Sequence, residues 1–336
     1  MEFLIIMLSA TVGLALAGRA APVFGLVDRP DARKIHTGQI PLVGGISLWI
    51  AMSSLHVLQP NWLLHQEIFL LCTLMLLVVG SLDDRFNLPV LPRLIVQAIA
   101  AVLMIREGLG LWTLGEIIPG YVVTLGALCW LITLIAMWAS INAFNMIDGI
   151  DGLLGTVSSV TFGALGWLFY VHGNDGAWQW CLALMLALIP YLIANLGLIG
   201  GSKRKVFMGD AGSTVIGFVV IWFLIIATQS EDAVIDAATA LWLIALPLGD
   251  MCAVSLRRLL SGNSPFRPDR GHIHHILMKC GFSSRQTLLI LLIATLILAF
   301  IGILFDKTGV AEWLSLMIFL LVFSGWLRFS IRVYHR

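Results

Sequence analysis

The sequence predicts an all-α, polytopic membrane protein of about eleven transmembrane helices, with its N-terminus outside and its C-terminus in the cytosol. Three observations predict it. Of the 336 residues, 59% are hydrophobic and only 12% charged, far from the balance of a soluble domain. Apolar runs recur along the whole chain without the alternation of a β-barrel. The charges are also sorted by side. Threading the runs from an outside start puts 18 of the 20 Lys and Arg inside, Arg106 and Lys307 excepted, and all six Glu outside.

A membrane-spanning helix needs about 20 apolar residues. Run 3–24 is preceded only by Met1 and Glu2 and is trailed by Arg19, Arg29, Arg33 and Lys34, so it reads as an uncleaved first helix. Runs 42–58, 67–82 and 93–106 are short, as tilted or dipping helices are. Runs 121–141, 153–171, 178–199, 211–229 and 237–256 follow, and 286–305 and 312–330 complete the set before the basic end Arg328 to Arg336. Outer loops such as 59–66, 172–177 and 306–311 are too brief for an outer domain, and no internal repeat is present, so residues 1–336 read as one integral membrane domain. The five cysteines show no paired or CxxC spacing, which argues against a disulfide framework or a zinc knuckle.

The inner ends of the runs carry the chemistry. Nine of the thirteen Asp fall there (Asp28, Asp31, Asp83, Asp84, Asp148, Asp151, Asp210, Asp250 and Asp269), beside Lys, Arg and His, and no Glu joins them. Short carboxylates among basic groups suit a divalent cation and a phosphorylated substrate. Asp83 and Asp84 precede Arg85 at the end of a run; adjacent helical residues point about 100° apart, so the pair is expected to divide its work. In NMIDGIDG, Asp148 and Asp151 share a face if the segment is helical, and Gly149 and Gly152 permit tight packing or close approach to a ligand. An Asn and two Asp beside apolar runs cost too much to be a simple cap, at about 2.5–3.5 kcal/mol for an Asp near a helix centre. SKRKVFMGDAGS sets Lys203, Arg204 and Lys205, which read as positive-inside topology, before Asp210 at a helix N-terminus suited to a metal–phosphate unit. The loop 257–285 gathers Arg257, Arg258, Arg267, Arg270, His272, His274 and His275; its HxHH spacing fits anion binding better than zinc. Loop 25–41 adds Arg33, Lys34 and His36.

Taken together, RPDARKIHTGQIPLVGG, DDRF, NAFNMIDGIDGL, VFMGDAGS and SPFRPDRGHIHH resemble the polyprenyl-phosphate N-acetylhexosamine-1-phosphate transferase family, in the same order and over nearly the whole chain. The DDR form and the HIHH loop resemble the UDP-GlcNAc-using branch more than the muramoyl-pentapeptide branch. The resemblance implies transfer of GlcNAc-1-phosphate from UDP-GlcNAc to undecaprenyl phosphate with release of UMP, Mg²⁺ as cofactor with Mn²⁺ as substitute, and residence in a bacterial inner membrane with a periplasmic N-terminus. It implies initiation of O-antigen or enterobacterial common antigen glycans. The partners implied are the two substrates and the lipid bilayer, with no nucleic acid; a homodimer is left open.

Carried over position by position, the family pattern implies catalytic roles for Asp83, Asp84, Asp148 and Asp151, and metal binding by Asp210 with Asp151. It implies substrate contacts from Lys34, Asn145, Arg258, His272, His274 and His275. One of Asp83 and Asp84 is expected to act as base or to orient the acceptor. Asp250, inside a run, is expected either to pair with Arg257 or Arg258 as a structural partner, the favoured reading, or to reach the active site from its helix end. Two rivals stand beside this reading. A secondary transporter would place its ionisable residues nearer the midplane. A CDP-alcohol phosphotransferase is suggested because DGIDG is similar to part of that family's Asp-Gly motif, but the motif's remaining spaced Asp and Arg are missing from this chain.

Overall fold

The computed structural model describes residues 1–28, 38–229, 233–262, 264 and 271–334, with backbone alone at 202, 203, 333 and 334. Its helices are α1 (Glu2–Phe24), α2 (Gly44–Leu58), α3 (Gln66–Phe86), α4 (Val90–Arg106), α5 (Cys129–Ile147), α6 (Leu153–Val171) and α7 (Asp175–Asn195). They continue with α8 (Gly209–Gln229), α9 (Ala237–Leu243), α10 (Ala245–Leu260), α11 (Ile273–Lys279), α12 (Ser284–Lys307) and α13 (Glu312–Tyr334). Two short strands, β1 (Val27–Asp28) and β2 (Ile40–Pro41), pair antiparallel. The protein is a helical membrane bundle. Eight of the described helices are long and apolar enough to cross a membrane, and a ninth span results if the bent pair α9 and α10 counts as one. At 15 and 17 residues, α2 and α4 reach only about 22 Å and 26 Å, short of a hydrocarbon core of about 30 Å.

α8 is the axis of the bundle. Residues 211–227 are all buried, and the helix packs against α2, α3, α5 and α6. A helix apolar all round has no face for lipid or water to prefer, so other helices must surround it. Without a hydrophobic force between helices in lipid, close approach of backbones supplies the attraction. Gly45 lies against Gly212, Gly80 against Ala211, and Gly217 against Ile141, each so close that a β-carbon on the glycine would overlap its neighbour's backbone. Ser140 Oγ adds a 2.7 Å hydrogen bond to the Gly217 carbonyl. By contrast, only 11% of the α13 span and 22% of the α12 span are buried, so these helices form the lipid-facing rim.

The apolar run 237–256 is expected as one helix but bends by 83° between α9 and α10. Pro247 explains it: it has no N–H for the Leu243 carbonyl, and its ring would clash there. That carbonyl instead accepts a 3.1 Å hydrogen bond from Thr161 Oγ1 on α6. The fifth run also shifts, from 121–141 to a helix over Cys129–Ile147, so that Asn142 and Asn145 are helical.

Candidate active site

The C-terminal ends of α3 and α5, the start of α8 and the segment containing α11 surround a cavity of about 1110 Å³. Asp83, Asp84, Asn145, Asp148, Asp151, Asp210, Lys205 and His275 all line it. Residues as far apart in the chain as Asp83 and His275 thus meet at one end of the bundle.

Helix geometry divides the DDR pair as its spacing requires. Asp83, buried, accepts a hydrogen bond from Arg93 Nη1 at 2.6 Å. Asp84 turns toward α8, where Oδ1 accepts the Asp210 N–H at 2.8 Å and Oδ2 the Ala211 N–H at 3.1 Å. A carboxylate on two free N–H groups at a helix start satisfies orphan donors and complements the helix dipole. It also fixes Asp210, whose Oδ1 accepts from Asn145 Nδ2 at 2.9 Å; the same Nδ2 lies 2.9 Å from Ser213 Oγ.

The segment after α5 corrects one expectation. Asp148 and Asp151 do not share a helical face, because α5 stops at Ile147 and Asp148 is its C-cap. A turn brings both carboxylates to the cavity. Gly152, at φ 79°, closes that turn in the left-handed region that favours glycine, and its N–H donates to Asn195 Oδ1 at 2.6 Å. Asn195 Nδ2 in turn donates to the Val206 carbonyl at 2.8 Å, tying the turn to the segment that leads into α8. Asp151 pairs with Lys205. Among the described residues no donor reaches the Asp148 carboxylate, and burial, with the charges of Asp210 and Asp151, pushes its pKa up to about 7.

The His segment divides too. His275 lines the cavity, whereas His272 and His274 are buried behind it. Burial and its two His neighbours push the His274 pKa down to about 3, so this ring is neutral and offers no charge to an anion. The Asp250 expectation is corrected: it pairs with His272 Nδ1 at 2.8 Å and accepts the Ile273 N–H at 2.8 Å, while Arg257 Nη1 donates to Ser330 Oγ at 3.0 Å. Arg258 is buried on α10 and is not among the residues lining the cavity. Lys34 lies outside the described residues.

Sequence reasoning missed Asn195, Arg93 and the role of Lys205. A lone Asn at the end of an apolar run was the available signal for the first. Nothing in the basic run Lys203, Arg204, Lys205 singles out Lys205 as a side chain that lines the cavity.

The donor set is made of hard oxygens, which fits Mg²⁺ or Mn²⁺ rather than zinc. Among the described residues no three His, Cys, Asp or Glu side chains close into a metal cage. Mg²⁺ does not require one, since it binds commonly through one or two carboxylates plus substrate phosphates.

Known proteins match this chain over nearly its whole length. Residues 67–228 match the model of the family described as glycosyl transferase family 4. The undecaprenyl-phosphate alpha-N-acetylglucosaminyl 1-phosphate transferase of Salmonella typhi is 47% identical over 324 residues, 96% of this chain and 88% of that one. The chain belongs to glycosyl transferase family 4. Proteins of the same name from Yersinia pestis and Escherichia coli K12 are 46% and 45% identical over the same shares. The family 4 match runs from α3 to α8 and so takes in Asp83, Asp84, Asn145, Asp148, Asp151, Lys205 and Asp210. The His segment falls beyond it but within the reach of the relatives.

Proposed function

We propose that the chain transfers GlcNAc-1-phosphate from UDP-GlcNAc to undecaprenyl phosphate, giving GlcNAc-pyrophosphoryl-undecaprenol and UMP. The observation that carries the reading is the closure of DDR, NMIDGID and FMGD on one open cavity at one end of a membrane bundle. Relatives named for this transfer, matching 96% of the chain, support the same reading.

In the reaction an oxygen of the lipid phosphate attacks the β-phosphorus of UDP-GlcNAc, and the bond from that phosphorus to the UMP oxygen breaks. Both substrates are anions, so catalysis is mostly positioning and charge stabilisation. Mg²⁺, or Mn²⁺ in its place, would be held by Asp210 and Asp151 and would offset the charge of the diphosphate. Asp84 and Asn145 fix the direction of Asp210. Asp83, held by Arg93, orients the acceptor oxygen. Asp148, near neutrality and unclaimed by any donor among the described residues, takes the proton from that part of the lipid phosphate still protonated. His275 and Lys205 supply donors to the departing UMP side.

The orientation belongs to the same proposal. Eleven crossings result if α2 and α4 span with local thinning and α9 with α10 counts once, since every apolar run then has its helix. The positive-inside distribution of Lys and Arg supports a cavity on the cytoplasmic side and an N-terminus on the periplasmic side of a bacterial inner membrane. The product would open O-antigen or enterobacterial common antigen synthesis, and residues 1–336 act as one domain, as a monomer or homodimer.

Incubating the purified chain in lipid nanodiscs with labelled UDP-GlcNAc, undecaprenyl phosphate and Mg²⁺ tests the reading. Expected are UMP and lipid-linked label in equal amounts. No UMP release there, with uptake of label into sealed proteoliposomes holding the same chain, would sink it. Competition by other UDP-N-acetylhexosamines tests the donor.

A further inference from the structure

Three histidines within four residues invite one shared role, but the structure gives them two. His272 and His274 are 8% and 1% exposed, while His275 is half-buried and lines the cavity. A single carboxylate holds the start of their segment. Asp250, 2% exposed on α10, takes His272 Nδ1 on one oxygen and the Ile273 N–H on the other, each at 2.8 Å. The His274 ring lies nearly parallel to that of His272, at 5.7 Å and 7°. Its far edge presses on Gly149 in the turn between Asp148 and Asp151, where any β-carbon would overlap the ring. His275 sits next in line, its ring 4.3 Å from that of His274.

An ionisable side chain inside a membrane helix is costly, and Asp250 is not used to neutralise the arginines one to two turns along α10. Its two oxygens are instead spent on fixing a ring and a backbone amide, which is how a supporting shell sets the direction of a contacting residue. The opposite side of the segment is fixed by Gly149, which belongs to the carboxylate turn itself. The His segment is therefore clasped between α10 and the Asp148–Asp151 turn.

We propose that Asp250 is a positioning residue for phosphotransfer, seating α11 through His272 and the Ile273 N–H so that His275 alone of the three faces the anionic donor. This rests on the phosphotransfer reading of the cavity. His272 and His274 are then spacers between two anchors, and their loss acts through His275.

The test uses the full chain in nanodiscs, as wild type, Asp250→Ala, Asp250→Asn, His275→Ala and the Asp250→Ala/His275→Ala double variant. Diethyl pyrocarbonate labelling, read by peptide mass spectrometry without donor, is expected to modify His275 well ahead of His272 and His274 in wild type. In Asp250→Ala the three should label at similar rates. The donor KM should rise about tenfold, with the KM for undecaprenyl phosphate unchanged. The double variant should lose no more than His275→Ala alone, because both act through one group. Asp250→Asn, which keeps one acceptor oxygen, should fall between, and it carries the test if Asp250→Ala does not fold. A wild-type labelling pattern in the Asp250 variants, additive losses in the double variant, or equal loss for both substrates would overturn the proposal. A wild type that labels as expected but releases no UMP contradicts the phosphotransfer reading, whereas turnover with unchanged labelling in the variants contradicts the seating role alone.

Discussion

The two ends of the bundle are both rich in carboxylates, yet they spend them differently. At the end remote from the cavity, Glu2 accepts from Gln59 at 2.5 Å and Glu107 pairs with His65 at 2.9 Å. Glu312 accepts the N–H groups of Glu116 at 2.6 Å and Ala238 at 3.1 Å, and Asp306 accepts that of Asp236 at 3.2 Å. These side chains fasten loops and cap the start of α9. At the cavity end, Asp83, Asp84 and Asp250 do similar fastening, but Asp148 takes no donor among the described residues and Asp151 and Asp210 face open space with it. A cluster of acids is therefore no sign of a site by itself. Repulsion is no sign either, since burial and the charges of Glu312, Asp306 and Glu116 push the Asp236 carboxyl up to about 6 at the remote end. The mark of a site is repelling carboxylates that line an open cavity, where a cation and a substrate can remove the cost.

The comparison can be broken most directly by removing the metal. Chelation should abolish UMP release, and Mg²⁺ or Mn²⁺ should restore it; turnover that survives chelation would count against the metal roles of Asp210 and Asp151. Next in size, Asp210→Asn should lower kcat about 10²- to 10³-fold, as loss of a charge-stabilising group does. Glu312→Gln should leave kcat unchanged and cost about 1–3 kcal/mol of stability, since one buried N–H loses its acceptor. Lys205→Met should raise the donor KM about tenfold with little change in melting temperature, because its pairing with Asp151 is partly exposed.

A last effect is on the pH dependence of stability. The Asp148 carboxyl, with a pKa near 7 when folded against about 4 unfolded, binds its proton more tightly in the folded chain. Its contribution is thus fully present below about pH 4 and lost as pH rises through about 7 in metal-free protein. Asp148→Asn should therefore melt a few degrees higher than wild type at pH 8 without metal and match it near pH 4. A variant no more stable at pH 8 would show that the carboxylate is not repelled there.

Much of this was legible in the chain. The helices follow the apolar runs because lipid admits few other structures, and the Asp motifs meet because their run ends share one side of the bundle. Boundaries failed where hydropathy and burial part company. Asn142 and Asn145 look like a helix end to a hydropathy window, but they extend α5 because their partners are protein, not lipid. Pro247 carried the break between α9 and α10 in plain view, although the surrounding run is apolar throughout. Asp250 could not be assigned from its neighbours on one helix, because its partner His272 lies 22 residues away. Lys205 and Asn195 are meaningful only once the turn at Gly152 is folded.

The central claim, that the Asp end performs phosphotransfer to lipid while the Glu end only fastens the fold, is tested by one paired assay. Wild type, Asp210→Asn and Glu312→Gln in nanodiscs would be given labelled UDP-GlcNAc, undecaprenyl phosphate and Mg²⁺, and lipid-linked label would be counted. The account predicts label in wild type and Glu312→Gln and almost none in Asp210→Asn. Equal labelling of lipid by Asp210→Asn, or its loss in a folded Glu312→Gln, would contradict it.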